Sequence, residues 1–269
     1  MKTKRILNSL FKWSAPFVLI LIAFSSCNKE FPNILKEFSE QPNYDSGSSK
    51  VLYIIVDGVR GKALQQLELP NFRIITRHSL HSFGSLGDYK NSPFTREIGV
   101  TTLLTGVTST KHKVSSNDLS QADLENYPTI LKRIKANHPN ISTAAFSSNE
   151  NVFNSLLSDA NNNDLAGSDA EVLQKSREEI KNGNSDLIIT HFTEPYKVGN
   201  AHSSEADDTD YGNSLRKLDE SIGKLLATLK ERPTYGQENW LVIITSSIGG
   251  PAINTEVDNT SYGDNTRNT

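Results

Sequence analysis

Two six-residue runs, Val51–Val56 (VLYIIV) and Trp240–Thr245 (WLVIIT), are apolar on both faces of an extended chain. A strand with one wet face alternates apolar and polar residues. A strand apolar on both faces is covered by helices on both sides, the habit of central parallel strands. Ile141–Phe146 (ISTAAF) and Leu187–Phe192 (LIITHF) read as two more buried strands. Between these runs Leu215, Leu218, Ile222, Leu225, Leu226 and Leu229 recur at helical spacing, and Pro233 ends that helix. Ile130, Leu131 and Ile134 form a shorter helical face ending near Pro139. Strands alternating with helices predict an α/β fold: a mostly parallel central sheet flanked by helices. Ser158–Asp164 and Ala201–Asp210 read as polar loops. In such sheets functional groups gather beyond the carboxyl ends of the strands. Here those ends are Asp57-Gly58, Phe192–Asn200 and Ser246–Gly250.

The first 26 residues read as an address. Lys2, Lys4, Arg5 and Lys12 precede an unbroken apolar stretch at 15–24 (APFVLILIAF). Ten helical residues rise only ~15 Å, about half a bilayer core, so this is a signal-peptide core and not a span. Ser25-Ser26-Cys27 follows, and Cys27 is the only cysteine of the chain. Small residues before a cysteine at this place resemble a bacterial lipobox. The resemblance implies that Cys27 is acylated and anchors the mature chain to a lipid bilayer in the bacterial cell envelope. The alternative is a secretory signal that happens to contain a cysteine. The polar stretch 27–49 reads as a flexible tether with one helical turn around Asn33–Phe38, and 50–269 as the domain. Of 28 basic residues these leading four are removed with the signal, leaving 24 against 31 acidic. A domain of that sign has no electrostatic reason to bind nucleic acid. A single cysteine excludes a disulfide scaffold and Cys-rich zinc modules. No GxxxxGK[ST], GxGxxG or GxSxG motif is present.

VLYIIVDGVRGKAL, GVTTLLTGVTSTKHKV and KLDESIGKLLATLKERPTYGQENWLVIITSSIGG occur in that order over roughly residues 50–269. Together they resemble the alkaline phosphatase superfamily, in particular its type I phosphodiesterase and nucleotide pyrophosphatase branch. The resemblance implies an α/β sandwich in which Asp and His at strand ends hold two divalent metals, usually zinc. A Ser or Thr at a helix N-terminus then attacks phosphorus or sulfur. Asp57 retains the first ligand position. Arg96 falls at the nucleophile position, with Thr95 beside it as a displaced nucleophile or simply a cap. Tyr196 and Asn200 stand where the third block carries Asp and His; Ser247 and Ile248 stand where the fourth carries Asp and His. There is no histidine after His202. Five of the six ligand positions are thus lost, and isoleucine offers no lone pair at all. The expectation is no bound metal, a vestigial Asp57 left to cap the following helix, and His191 as a packed or hydrogen-bonded side chain. The polar ending NTEVDNTSYGDNTRNT reads as a truncated C-terminus.

The function expected is therefore a membrane-anchored lipoprotein with a catalytically inactive phosphodiesterase-like domain, acting in binding or scaffolding. Its cleft would take an anionic ester or glycan, with Lys197 and Arg96 supplying positive charge unless they are ordinary surface charges. The alternative is an active ester hydrolase, using zinc or another divalent metal on a rearranged site. That site would draw on Asp57, Thr95, Glu194, His191 or His202, and acids from Asp207, Asp208 and Asp210. A third class is a partner-binding lipoprotein of a glycan-uptake system; its protein partner stays unnamed.

Overall fold

The structure is a computed structural model and describes residues 47–84 and 94–250. The chain divides into two units, Met1–Asp45 and Ser46–Thr269. The segment read as a signal, Cys27, the turn expected around Asn33–Phe38 and the polar C-terminal ending lie outside the described residues. Among the described residues no helix is long and apolar enough to cross a membrane.

The strands are β1 (Ser48–Asp57), β2 (Thr143–Ser147), β3 (Asn162–Leu165), β4 (Leu187–Phe192) and β5 (Glu238–Ile248). They form one sheet in the order β3-β2-β4-β1-β5, and every pairing is parallel. The main helices are α1 (Gly61–Gln66), α2 (Pro70–Arg77), α3 (Arg96–Thr105), α4 (Ile130–Asn137), α5 (Asp169–Asn182), α6 (Glu194–Ala201) and α7 (Thr209–Lys230).

The period-2 alternation of β1 explains the layers. Leu52, Ile54 and Val56 face one core with Val172 and Ile180 of α5 and the Leu215, Leu218, Ile222 and Leu225 stripe of α7. Ile55 faces the other core with Ile98, Val100 and Leu104 of α3 and Leu131 of α4. The predicted parallel sheet with helices on both faces is therefore present.

Three expectations need correction. The polar stretch Ser158–Asp164 is not all loop, because Asn162–Leu165 forms the edge strand β3. All four of its side chains are exposed, so it pairs with β2 through main-chain bonds and leaves no apolar signature. WLVIIT is not central: β5 pairs only with β1 among the described residues and leaves Leu241 56% exposed. β1 begins at Ser48, so the first strand reaches back into the stretch read as tether.

One buried hydroxyl holds the loop after β1. Tyr211 of α7 donates to the Gly58 carbonyl at 2.8 Å and accepts from Arg60 N at 3.1 Å. Burial pushes its phenol up to about 12 from 10.0, against the pull of the Arg60 amide. The unfolded chain loses this proton first, so the contribution to stability is intact below pH 10 and disappears as pH rises towards 12. At 1.36 kcal/mol per unit, that loss is about 2–3 kcal/mol. Tyr211→Phe is expected to flatten this alkaline limb, at a cost of about 1–2 kcal/mol at neutral pH. Urea midpoints measured between pH 7 and 12 check both.

Candidate functional site

The strand register sets which side chains meet. Ile55 of β1 pairs with His191 of β4, and His191 pairs with Ser147 of β2. Alternation then turns Ser147, His191 and Asp57 towards the α3 side of the sheet. At the β1/β5 seam the register shifts between Val56 and Asp57, so Asp57 lies opposite Ile248. A shift of this kind re-aims side chains at a strand end. Here the Ser247 hydroxyl donates to Asp57 Oδ1 at 2.5 Å. His191 Nδ1 lies 2.8 Å from Ser147 Oγ, and its Nε2 lies 3.0 Å from Asp57 Oδ1, off the line of a hydrogen bond. Ser147, His191, Asp57 and Ser247, brought together from four strands, are all fully buried.

Helix α3 supplies the rest. Thr95 is its N-cap: Oγ1 accepts from Ile98 N at 3.3 Å and donates to the Ser116 carbonyl at 3.2 Å. The helix passes so close to β5 that a methyl added at Gly99 would run into the Ser247 carbonyl. This contact brings the first turn of α3 beside the strand tips. Arg96 Nε donates to Glu97 Oε1 at 2.7 Å, and the guanidinium lies 5.0 Å from the centre of the Tyr196 ring. Tyr196 in turn packs against Gly58, whose φ of +79° and contact with the Tyr196 backbone leave no room for a side chain.

The charges act on one another. Burial pushes the Glu97 carboxyl up, Arg96 pulls it down, and Asp57 adds to the rise. Burial pulls the Arg96 guanidinium down, but Glu97 and then Asp57 outweigh it, and the net direction is up. Burial also raises the Tyr196 phenol, against Arg96. Asp57 Oδ2, Glu97 Oε2 and His191 Nε2 are buried without a hydrogen-bond partner among the described residues.

The other candidates are spread out. Glu194 and Lys197 of α6, Asn200 and Asp207 are exposed. His202 faces Asp210 at 3.6 Å on the surface. Asp208 caps α7 by accepting from Tyr211 N at 2.8 Å. Ile248 is buried in the core with Ile55. The expectation that Asp57 caps the next helix is overturned. The N-cap of α1 is Arg60, without a side-chain cap bond, and Asp57 Oδ1 accepts instead from Ser247. Sequence reasoning passed over Glu97 and Ser147. Ser147 acts on His191, 44 residues away, and Glu97 bonds its neighbour Arg96 but is set apart only by its burial, which the sequence does not mark.

A two-metal centre does not fit these residues. A zinc site needs three or four N, O or S donors converging on one point. Among the described residues no three of His, Cys, Asp and Glu are so placed. Asp57 and His191 make a pair without a third ligand, and a guanidinium stands beside them.

The family model for type I phosphodiesterase / nucleotide pyrophosphatase matches residues 51–266. No curated protein matches the chain. Similar solved structures include murine ectonucleotide pyrophosphatase/phosphodiesterase 5, an inactive variant in complex with AMP. It is 19% identical with a TM-score of 0.56 over 75% of this chain and 57% of that one. A 2-O GAG sulfatase is 10% identical, TM-score 0.58, over 82% and 61%. A protein in the alkaline phosphatase superfamily from Vibrio parahaemolyticus is 12% identical, TM-score 0.55, over 81% and 59%. At these identities the likeness is one of fold, and this chain spans 57–61% of their lengths.

Proposed function

Because the chain belongs to the type I phosphodiesterase / nucleotide pyrophosphatase family, we propose that it is a lipid-anchored member that has lost hydrolysis. In this reading Cys27 carries the acyl anchor in the bacterial cell envelope, and the domain binds or scaffolds. The observation that carries the loss of catalysis is Arg96. It takes the position the resemblance gives to the nucleophile and is held there by Glu97 and Tyr196. An arginine side chain has no hydroxyl to activate, and it brings positive charge to where a metal would have to sit. One oxygen of Asp57, the retained ligand type, accepts from Ser247.

The active alternative draws on two features: Thr95 at a helix N-terminus, and the approach of Asp57 to His191. The Thr95 hydroxyl already donates to Ser116 O and accepts from Ile98 N. It would have to give up both bonds to serve as a nucleophile.

Two measurements test the reading. Purified protein with Zn²⁺, Mn²⁺ or Mg²⁺ is expected to show no turnover of nitrophenyl phosphate, phosphodiester or sulfate substrates, and no difference between wild type and Asp57→Ala. Turnover abolished in Asp57→Ala would establish the active alternative. For the anchor, a clickable fatty acid fed to cells is expected to label the full chain and to miss Cys27→Ser, which also leaves the membrane fraction. Labelling retained in Cys27→Ser would remove the anchor from the reading. AMP, the ligand in the murine relative, and sulfated glycans are the first anionic ligands to try in a binding assay.

A further inference from the structure

Three of the residues at the family's ligand and nucleophile positions partner a carboxylate or a guanidinium, while Asn200 is exposed and Ile248 lies in the apolar core. Ser247, in place of an acid, donates its hydroxyl to Asp57. Arg96, in place of a nucleophile, donates to Glu97, in the first turn of the helix that packs against the Asp57 strand tip. Tyr196, in place of another acid, offers its ring face to that guanidinium, a favourable cation–π placement. Asp57 and Glu97 are both essentially inaccessible to solvent. Two buried carboxylates need a compensating cation, because an unpaired buried charge is strongly destabilising.

We infer that the Arg96 guanidinium is a built-in cation that takes over the charge-neutralising role of a divalent metal, so that the strand tips hold together without any ion. The inference rests on the proposed loss of hydrolysis and deepens it: the substitutions rebuild the site as a metal-independent cluster, in which Asp57 Oδ2, Glu97 Oε2 and His191 Nε2 stay without a hydrogen-bond partner among the described residues. Arginine suits the position because it keeps its charge under burial and presents a planar fork that can bond an acid while stacking on a ring. A divalent cation approaching Asp57 and His191 would meet like charge from Arg96 and lacks a third protein ligand among the described residues.

The test is thermal unfolding and metal content of the purified full chain, with EDTA and with millimolar Zn²⁺, Mn²⁺ or Mg²⁺. The wild-type Tm is expected to move by less than about 1 °C in all of these, which is under about 0.5 kcal/mol in a domain this size. Arg96→Met should lower Tm by roughly 10 °C, because it strands Glu97. Arg96→Lys should keep at least part of that loss from appearing, since the charge survives. Arg96→Met/Glu97→Leu should recover at least half of the Arg96→Met loss, because the stranded carboxylate has gone too. A zinc-induced rise of several degrees with stoichiometric ion bound to wild type would overturn the inference. An Arg96→Met protein as stable as wild type would do the same. If Arg96→Met fails to fold, the double variant decides: folded supports the built-in cation, unfolded refutes it. Metal bound without turnover would defeat this inference and leave the proposed function standing. Turnover in metal-free protein would do the opposite.

Discussion

Gly99→Ala is expected to destabilise the domain by about 3 kcal/mol or more, where helix propensity alone predicts a gain. Glycine inside a helix is worse than alanine by ~0.5–1 kcal/mol. Gly99, however, lies where α3 touches β5, and the added methyl would overlap the Ser247 carbonyl, a backbone atom that cannot swing aside. Relief requires α3 to move away from the sheet, which would take Arg96 from Tyr196 and unseat Ile98, Val100 and Leu104 from the core. At ~2–4 °C per kcal/mol for a domain of this length, the fall in Tm is about 6–12 °C. Gly212→Ala in α7 is the control. Its methyl would meet only ordinary contacts, nearest Arg216 Nη1 at 3.4 Å, and should stabilise by ~0.5–1 kcal/mol. Equal effects at the two glycines would mean that α3 does not approach β5 as closely as described.

Asp219→Ala should have a comparable effect for a different reason. Helix α2 begins with Leu69 as its N-cap, which provides no side-chain bond. Its free amides are capped from another helix. Asp219 of α7 accepts from Phe72 N at 2.7 Å, Asn71 N at 3.2 Å and Asn71 Nδ2 at 2.9 Å. The carboxylate is 1% exposed and faces the positive end of the α2 dipole. Removing it leaves buried amides without partners, at ~1–3 kcal/mol each, and about 3 kcal/mol in all is expected. The urea midpoint should fall with the slope unchanged, since the native surface is the same. Asp219→Asn, which keeps an acceptor oxygen, should recover a good part of the loss. A slope that changes with the midpoint would point instead to loss of α2 as a unit.

The strands that the sequence announced are those buried on two sides. VLYIIV and LIITHF became β1 and β4, adjacent in the sheet, because covering both faces of a strand demands apolar residues at every position. The leucine stripe from Leu215 to Leu229 became the inner face of α7 for the related reason that one side of a helix must meet the core. β3 was illegible because its four residues are solvent-exposed and it is held by main-chain pairing with β2 and by polar side-chain bonds such as Asn162 to Glu179 and Lys175 to Asp164. The edge position of β5 was hidden as well, since its composition resembles that of a central strand while its exposure does not. The capping role first expected of Asp57 failed because Ser247, 190 residues away, reaches its carboxylate.

By itself the sequence determined the α/β class and the family, and it puts Ser247 and Ile248 at the tip of the last strand. These depend on residue type and order: isoleucine cannot coordinate a cation in any conformation, and alternation of apolar runs forces covered parallel strands. Tertiary structure alone decided what stands there instead. Ser147, His191, Asp57 and Ser247 meet through strand register, and Arg96 and Glu97 join them through the close passage of α3 at Gly99. Arg96 and Glu97 are neighbours in the chain, but the burial of Glu97 against the strand tips is set across the fold, which no spacing along the chain encodes.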